Sequence, residues 1–431
     1  MIRWLYNTTL TAAVPLAAAC LAVTPRHRPL LERFRPVIPD GLLSSGERPI
    51  WLHACSVGEV NVAAPIAEAL HGRWPNIPLL ATVSTVSGQQ QAATQMQRWP
   101  RTYLPFDHPL CVARFFERAQ PRILVLVETE LWPNLLREAR RRGVPVALVN
   151  GRLSKRHYPR YQRMGGLLRP GLAGIRLAAM QSECDAERAR QLGVNPEVVR
   201  VTGNTKFDGA PSPPAADVSD SVRSECGLAD GAPVVVFGST RPGDEALAAR
   251  CREALRSSHA GVAVIAAPRH VQRASEAAKA FSGVLARFRS ERRAGNGEEE
   301  EEPVLILDTV GELSQFYSLA TIAVVGGSFY PGVGGHNPIE PAALGVPVVF
   351  GPHMDNFRGP ARILLEAGGA VQADAPARLP EVLARLLGDR EERMAMGRRA
   401  RAAVDANRGA IARTMDHLAP LVERDGRIKA T

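Results

Sequence analysis

From residue 48 onward short apolar runs alternate with amphipathic helical patterns, and this alternation restricts the fold more than any other feature of the chain. Runs at 50–55, 79–84, 123–128, 145–150, 177–182 and 198–203 have the continuous apolar character of strands buried on both faces, with helical patterns such as 60–70 and 131–142 between them. Strands that alternate with helices form a parallel, doubly wound sheet, because each crossover returns along one face of that sheet. A Pro-rich polar segment at 209–217 (GAPSPPAAD) then reads as a linker. A second series follows, with runs at 234–238, 262–267, 304–307, 322–325 and 346–350. The expected architecture is α/β: two Rossmann-like lobes at 36–208 and 219–405, a linker at 209–218, a segment at 1–35 ahead of them, and a C-terminal helix and tail at 406–431.

A chain of 431 residues is too long for one ordinary core, and its 45% hydrophobic content supports well-packed domains. The net charge of +10 is unevenly shared. The first 210 residues hold 27 Lys/Arg against 15 Asp/Glu, and the rest hold 26 against 28, so the halves are +12 and −2. This asymmetry points to an anionic surface or acceptor facing the first half. Nucleic acid is the weaker choice, because the Arg residues are scattered and no zinc-finger or RNP signature accompanies them. Cysteines at 20, 55, 111, 184, 226 and 251 form no CxxC pair and read as small buried residues in a reducing compartment. Five consecutive glutamates, 298–302, sit in a charged insertion at 292–303 that reads as a solvated loop.

The N-terminus carries an uncharged run at 10–23, preceded by Trp4 and Tyr6 and followed by Arg26, Arg28, Arg33 and Arg35. Fourteen residues are short for about 30 Å of hydrocarbon, and extension back to Trp4 meets Asn7, Thr8 and Thr9. The pattern suits a membrane anchor that is interfacial or just spanning, with its basic flank on the cytoplasmic leaflet. A cleaved signal peptide is the competing reading, since Ala17, Ala18 and Ala19 resemble a cleavage region.

Ligands in open α/β sheets bind beyond the carboxyl ends of strands, which directs attention to the residues just after each run. In the first lobe these are His53, Ser56, Gly58 and Glu59 of HACSVGE. Glu59 can serve as a general base, but Ser56 three residues before it also fits a capping box, and spacing alone leaves both open. Glu128 ends an apolar strand, a poor place for an unpaired carboxylate. Glu130 fits as a cap for a helix opened by Leu131, with Trp132 packing into the core. Neither position shows metal spacing and the chain has no DxD element, so no metal ion is expected.

In the second lobe the strand ends carry Ser239 and Arg241 (GSTRPGDE), Arg269 and His270 (APRH), and the run GGSFYPGVGGHNPIEPA at 326–342. Here a buried strand enters Gly326, Gly327 and Ser328, and a helix is expected to open at Asn337 with Glu340 in its first turn. N–H groups at a helix start can hold phosphate oxygens, and a carboxylate one turn in can accept from sugar hydroxyls. His336 fits either a capping donor or a ligand contact.

These elements, taken with NTKFD at 204–208 and FGPHMDNF at 350–357, resemble in order the motif series of the 3-deoxy-D-manno-octulosonic acid (Kdo) transferases of lipid A assembly. The resemblance spans residues 50–358. It implies a GT-B glycosyltransferase fold with an interlobe cleft and an N-terminal membrane-anchor helix. It implies CMP-Kdo as donor substrate, no cofactor, a phosphorylated lipid A precursor as acceptor, and inverting, metal-independent transfer at the cytoplasmic face of the bacterial inner membrane. Glu59 matches the family's general base and Glu128 a second essential acid. Lys206, Arg269, His270, Gly327, Ser328, Asn337 and Glu340 match its donor-binding elements. Two alternatives remain at this stage: another GT-B enzyme using a UDP-sugar, as transferase or epimerase, and an exported two-lobed binding protein.

Overall fold

The computed structural model describes all residues except 45, 155–157, 214–215, 230, 260, 292–303 and 425–431. The charged insertion with its five glutamates and part of the expected linker therefore lie outside the described residues. The chain divides into two compact units, the first being Met1–Gly209 with the C-terminal segment from Arg408, the second Ala210–Asn407.

The first unit opens with helix α1 (Ile2–Val23) and a 3-10 segment, Pro25–Phe34. Seven strands follow: β1 (Ile50–His53), β2 (Leu79–Val83), β3 (Arg101–Tyr103), β4 (Ile123–Val127), β5 (Val146–Gly151), β6 (Ile175–Met180) and β7 (Val199–Val201). They make one parallel sheet in the order β3-β2-β1-β4-β5-β6-β7. Val125, Leu126 and Val127 are fully buried, as expected where helices cover both faces of a sheet. One face packs around Trp51, Phe115 and Leu135. The other packs around Ile66, Val83 and Val125, and it also takes Met415, Leu418 and Val422 from the last helix, Ala410–Val422. That helix belongs to the first unit, so the C-terminal segment is not a separate tail. Asp208 caps it by accepting the N–H of Gly409 at 2.6 Å and of Ala410 at 3.2 Å.

The second unit repeats the plan with β8 (Val234–Thr240), β9 (Ala263–Pro268), β10 (Ala286–Phe288), β11 (Val304–Ile306), β12 (Ile322–Val325), β13 (Val348–Phe350) and β14 (Ala370–Gln372). Their order is β10-β11-β9-β8-β12-β13-β14, again parallel. The helix Ala216–Glu225 begins inside the segment expected to be linker, which shortens it.

Each sheet starts near its centre, fills one side, with β11 inserting inside β10 in the second unit, then crosses to the other side of its first strand. The crossing falls between β1 and β4 in the first unit and between β8 and β12 in the second. Loops leaving the two strands at such a point diverge to opposite faces and leave a crevice at the strands' carboxyl ends. Two cysteines depart from the buried expectation: Cys20 on α1 and Cys184 are exposed.

Candidate active site

In the first unit the crevice is bounded by the loop after β1 and the loop after β4. Glu59 lies in the first turn of helix α2 (Val57–Arg73), whose N-cap position is Ser56. Its Oε2 accepts the Cys55 N–H at 2.7 Å, and its Oε1 accepts the Ser56 hydroxyl at 3.3 Å. Neither bond of a capping box forms, because Glu59 accepts the N–H of Cys55 and not that of the N-cap Ser56, and the Ser56 hydroxyl makes no return bond to the helix. Gly58 stands in open space on the exposed side of the same turn. Burial, and then the charge of Glu130, push the Glu59 carboxyl up to about 8, against the pull of the Cys55 N–H.

The loop after β4 supplies the opposing acids. Glu128 takes a left-handed backbone, φ 58°, which costs a non-glycine residue on the order of 1 kcal/mol and turns the chain sharply at the strand end. Glu130 does not cap a helix. The helix begins at Pro133, and Glu130 instead accepts the Trp132 indole N–H at 2.7 Å and stands 3.7 Å from His53 Nε2. Proline at the first helical position has no N–H to cap, and the next two, of Asn134 and Leu135, donate to Asp107, which leaves the Glu130 carboxylate to turn toward β1. Trp132 packs against the core as expected. Lys206, pushed down by burial, feels Glu128 as its opposing charge. The turn that carries it is pinned by Asn150, which accepts the Thr205 N–H at 3.1 Å and itself has φ 51°.

Two neighbours were not singled out from the sequence. Arg33 looked like one of several basic flanking residues, but its guanidinium is drawn in among Cys55, Glu130 and Asp107 and donates to the Leu104 carbonyl at 3.0 Å. The Tyr161 hydroxyl, pushed up to about 12 by burial and by Glu130, donates to the Thr129 carbonyl. Cys55 is likewise pushed up to about 12, first by burial, so it is a protonated thiol and not a nucleophile. Donor atoms of Cys55, Glu59 and Glu130 lie within 4.8 Å of one another, close enough for a cation. A cation would have to displace protons from both the thiol and Glu59, which makes the trio a poor fit for a hard ion.

In the second unit the crevice lies between the ends of β8 and β12. Ser239 is left-handed, φ 57°, and the Arg241 and Gly327 N–H groups both donate to Asp244 Oδ2, at 2.9 and 2.7 Å. Asp244 is 2% exposed, its other oxygen has no partner, and burial raises it to about 6. The only sequence sign of this role was its place at the start of a helix, Asp244–Arg256, after a glycine turn. Arg241 spans two histidines, donating from Nε to His336 at 3.2 Å and lying 3.1 Å from His270 Nε2 through its terminal nitrogen. Burial and then Arg241 lower His336 to about 4, so it is a neutral acceptor and not a capping donor. A cavity of about 260 Å³ at the ends of β8, β9 and β11 is lined by Ser239, Arg269, His270 and Thr309.

The glycine-rich run behaves differently from expectation at two places. Ser328 is fully buried, its hydroxyl donating to the Val325 carbonyl at 2.6 Å and accepting the Gly351 N–H at 2.8 Å, so this side chain ties β12 to β13 with its one proton already placed. The helix after Pro338 is only Ile339–Ala343, and Asn337 already accepts the Ile339 N–H at 3.1 Å. Gly345, at φ 77°, turns the chain out of the helix after one turn, which weakens the expected anion site there. Asn337 also donates to Glu340 at 2.9 Å; burial raises that carboxyl while Arg269 pulls it down. Gly326 accepts the His336 N–H and Gly327 stands at φ 66°, so both shape the turn with backbone alone.

A family model described as 3-deoxy-D-manno-octulosonic-acid transferase (kdotransferase) matches residues 28–209. The 3-deoxy-D-manno-octulosonic acid transferase of Bordetella pertussis is 38% identical over 381 residues, covering 86% of each chain. That of Haemophilus influenzae is 32% identical over 437 residues, covering 99% of this chain and 100% of the relative. Among solved structures, a UDP-GlcNAc 2-epimerase from Neisseria meningitidis aligns with TM-score 0.55 at 13% identity, covering 86% of this chain and all of that one. MurG of Acinetobacter baumannii aligns with TM-score 0.54 at 14% identity, covering 86% and 98%. These two likenesses concern the fold, which is of the GT-B type. With relatives matched along nearly the whole chain and the family's motifs gathered at the two crossing points, the chain belongs to the 3-deoxy-D-manno-octulosonic acid transferase family.

Proposed function

We propose that this transferase moves Kdo from CMP-Kdo onto a hydroxyl of a lipid A precursor, with inversion, at the cytoplasmic face of the inner membrane. One observation carries the reading. Glu59 sits at the crossing point of the first unit, and burial beside Glu130 raises it to about 8, near the range in which a carboxylate accepts a proton efficiently at physiological pH. Glu59 takes the proton of the acceptor hydroxyl as its oxygen attacks the anomeric carbon. The bond from that carbon to the CMP phosphate breaks, and the electron pair leaves with the phosphate. A single displacement inverts the centre, and a phosphate leaving group needs charge stabilisation and no second acid.

Arg241, Arg269 and His270 suit that stabilisation, and the 260 Å³ cavity beside them accepts a phosphate or a sugar carboxylate. Lys206 and Glu128 complete a paired acid and base in the first unit. No metal or other cofactor enters this scheme, because the cations needed are side chains.

Incubation of the purified chain with CMP-Kdo and a tetra-acylated lipid A precursor, followed by mass spectrometry, tests the reading. The expected products carry added Kdo, CMP inhibits where UDP does not, and EDTA leaves the rate largely unchanged. Competition by UDP would favour a UDP-sugar enzyme. Recovery only on addition of Mg²⁺ would overturn the metal-free scheme.

A further inference from the structure

Helix α1 is 22 residues long and apolar enough to cross a bilayer by length and composition, and none of its residues is buried. Its contacts argue against a crossing. Near its start, Tyr6 donates to Asp107 at 2.9 Å, Asn7 accepts from Asn134 at 2.9 Å, and Thr11 lies 3.0 Å from His108. Ten residues beyond its end, Arg33 donates to the Leu104 carbonyl, and its own carbonyl accepts the Phe106 N–H at 2.8 Å. The first half of the helix and the chain ten residues past its end are thus both held at the loop 104–108, with Asn134 beside it. From Thr11, the last of these contacts on the helix, to Val23 the helix rises only about 18 Å before the chain turns back to Arg33, too little to cross about 30 Å of hydrocarbon.

The two sides of the helix differ. Leu10, Val14, Ala17 and Leu21 recur at three- and four-residue spacing and are half-buried. Ile2, Leu5, Leu16 and Val23 fall roughly on the far side and are 52%, 60%, 70% and 79% exposed. An apolar stripe of this length on a folded unit marks a surface that meets another apolar phase. The charges beside it say which. Arg3 and Arg137 line an open groove of about 600 Å³ at the first turns, and Arg26 and Arg28 are exposed just past the helix, all matched to an anionic head-group layer.

We infer that α1 lies in the plane of the membrane interface as a fixed part of the first unit, with Ile2, Leu5, Leu16 and Val23 in the lipid, Tyr6 and Thr11 clasped on the loop at 104–108, and Asn7 on Asn134. The inference rests on the membrane placement proposed above and adds the orientation, monotopic and not spanning. Asp107 gives that clasp a second consequence. It is 3% exposed and also accepts the N–H groups of Asn134 and Leu135, at the start of the helix that follows Glu128 and Glu130. Seating of α1 thereby bears on the backbone next to the acidic cluster.

The test adds the full chain, with a protease-sensitive tag ahead of Met1, to preformed vesicles of one part phosphatidylglycerol to three parts phosphatidylethanolamine. Bound protein should keep its tag open to external protease, and Leu5→Asp with Leu16→Asp should weaken vesicle binding at least tenfold with an unchanged circular dichroism spectrum. A protected tag on bound protein overturns the in-plane orientation while leaving membrane placement standing. Absence of vesicle binding by the unaltered chain overturns both. Binding unaffected by the double change, or self-association in sedimentation that the double change abolishes, overturns the assignment of this face to lipid.

Discussion

Glu59 illustrates how little of a residue's chemistry is carried by its letter. HACSVGE showed a carboxylate beside a strand end, but its titration depends on Glu130 and on burial, both products of the crossing between β1 and β4. Because Glu59 must be ionised to act as base, kcat/KM should rise with pH and level off above about 8. Glu130→Gln removes one repelling charge, so the limb should move to lower pH by about half a unit or more; a limb that stays in place would separate Glu130 from the base. The same shift has a stability sign. Between the unfolded value of 4.5 and the folded value of about 8, the folded chain holds a proton that the unfolded chain has released. Folding therefore weakens as pH rises through that window, and Glu59→Gln should flatten the trend in denaturant titrations. Arg33, Tyr161 and Asp244 were illegible for the same reason: their roles depend on long-range neighbours and leave no local pattern. Ser328 is the opposite case, since a serine after two glycines looks like a ligand donor until the Val325 carbonyl takes its hydroxyl proton.

At the scale of elements, the buried strands were legible and three of the four edge strands were not. Every central strand appears as an apolar run, because a parallel strand covered on both faces needs apolar residues at each position. The unforeseen strands, β3, β10 and β14, are three residues long and stand at sheet edges, where one flank is unpaired and the apolar run disappears. The last helix was seen as an element but not as part of the first unit, since its docking depends on Asp208, two hundred residues earlier. Asp208 accepts three N–H groups at the start of that helix, from Gly409, Ala410 and Ile411. Asp208→Ala should cost about 1–2 kcal/mol by loss of this cap, lowering the melting transition of the first unit by roughly 2–8 °C. An unchanged transition would show that water replaces the carboxylate at no cost. Asp208 is thus a structural member of NTKFD, whereas Lys206 in the same motif faces Glu128.

Across the whole molecule, one topological rule is applied twice. Each unit changes direction beside its first strand, and at each change it places left-handed, non-glycine residues, Glu128 in one and Ser239 in the other, beside partly buried charged groups. The first crossing gathers acids around a group that can take a proton, and the second gathers Arg241, Arg269 and His270 near a small cavity. Alternating patterns disclosed the two sheets, and strand ends disclosed most of the candidate residues. Strand order disclosed itself only in the folded chain, because periodicity says which face a residue takes and nothing about which strand lies beside it. The central claim is that Glu59 removes the acceptor proton, and the most direct measurement is single-turnover Kdo transfer by Glu59→Gln against the unaltered chain. The account predicts transfer slowed at least about 100-fold with folding and CMP-Kdo binding retained; transfer within a few-fold of the unaltered chain would contradict it.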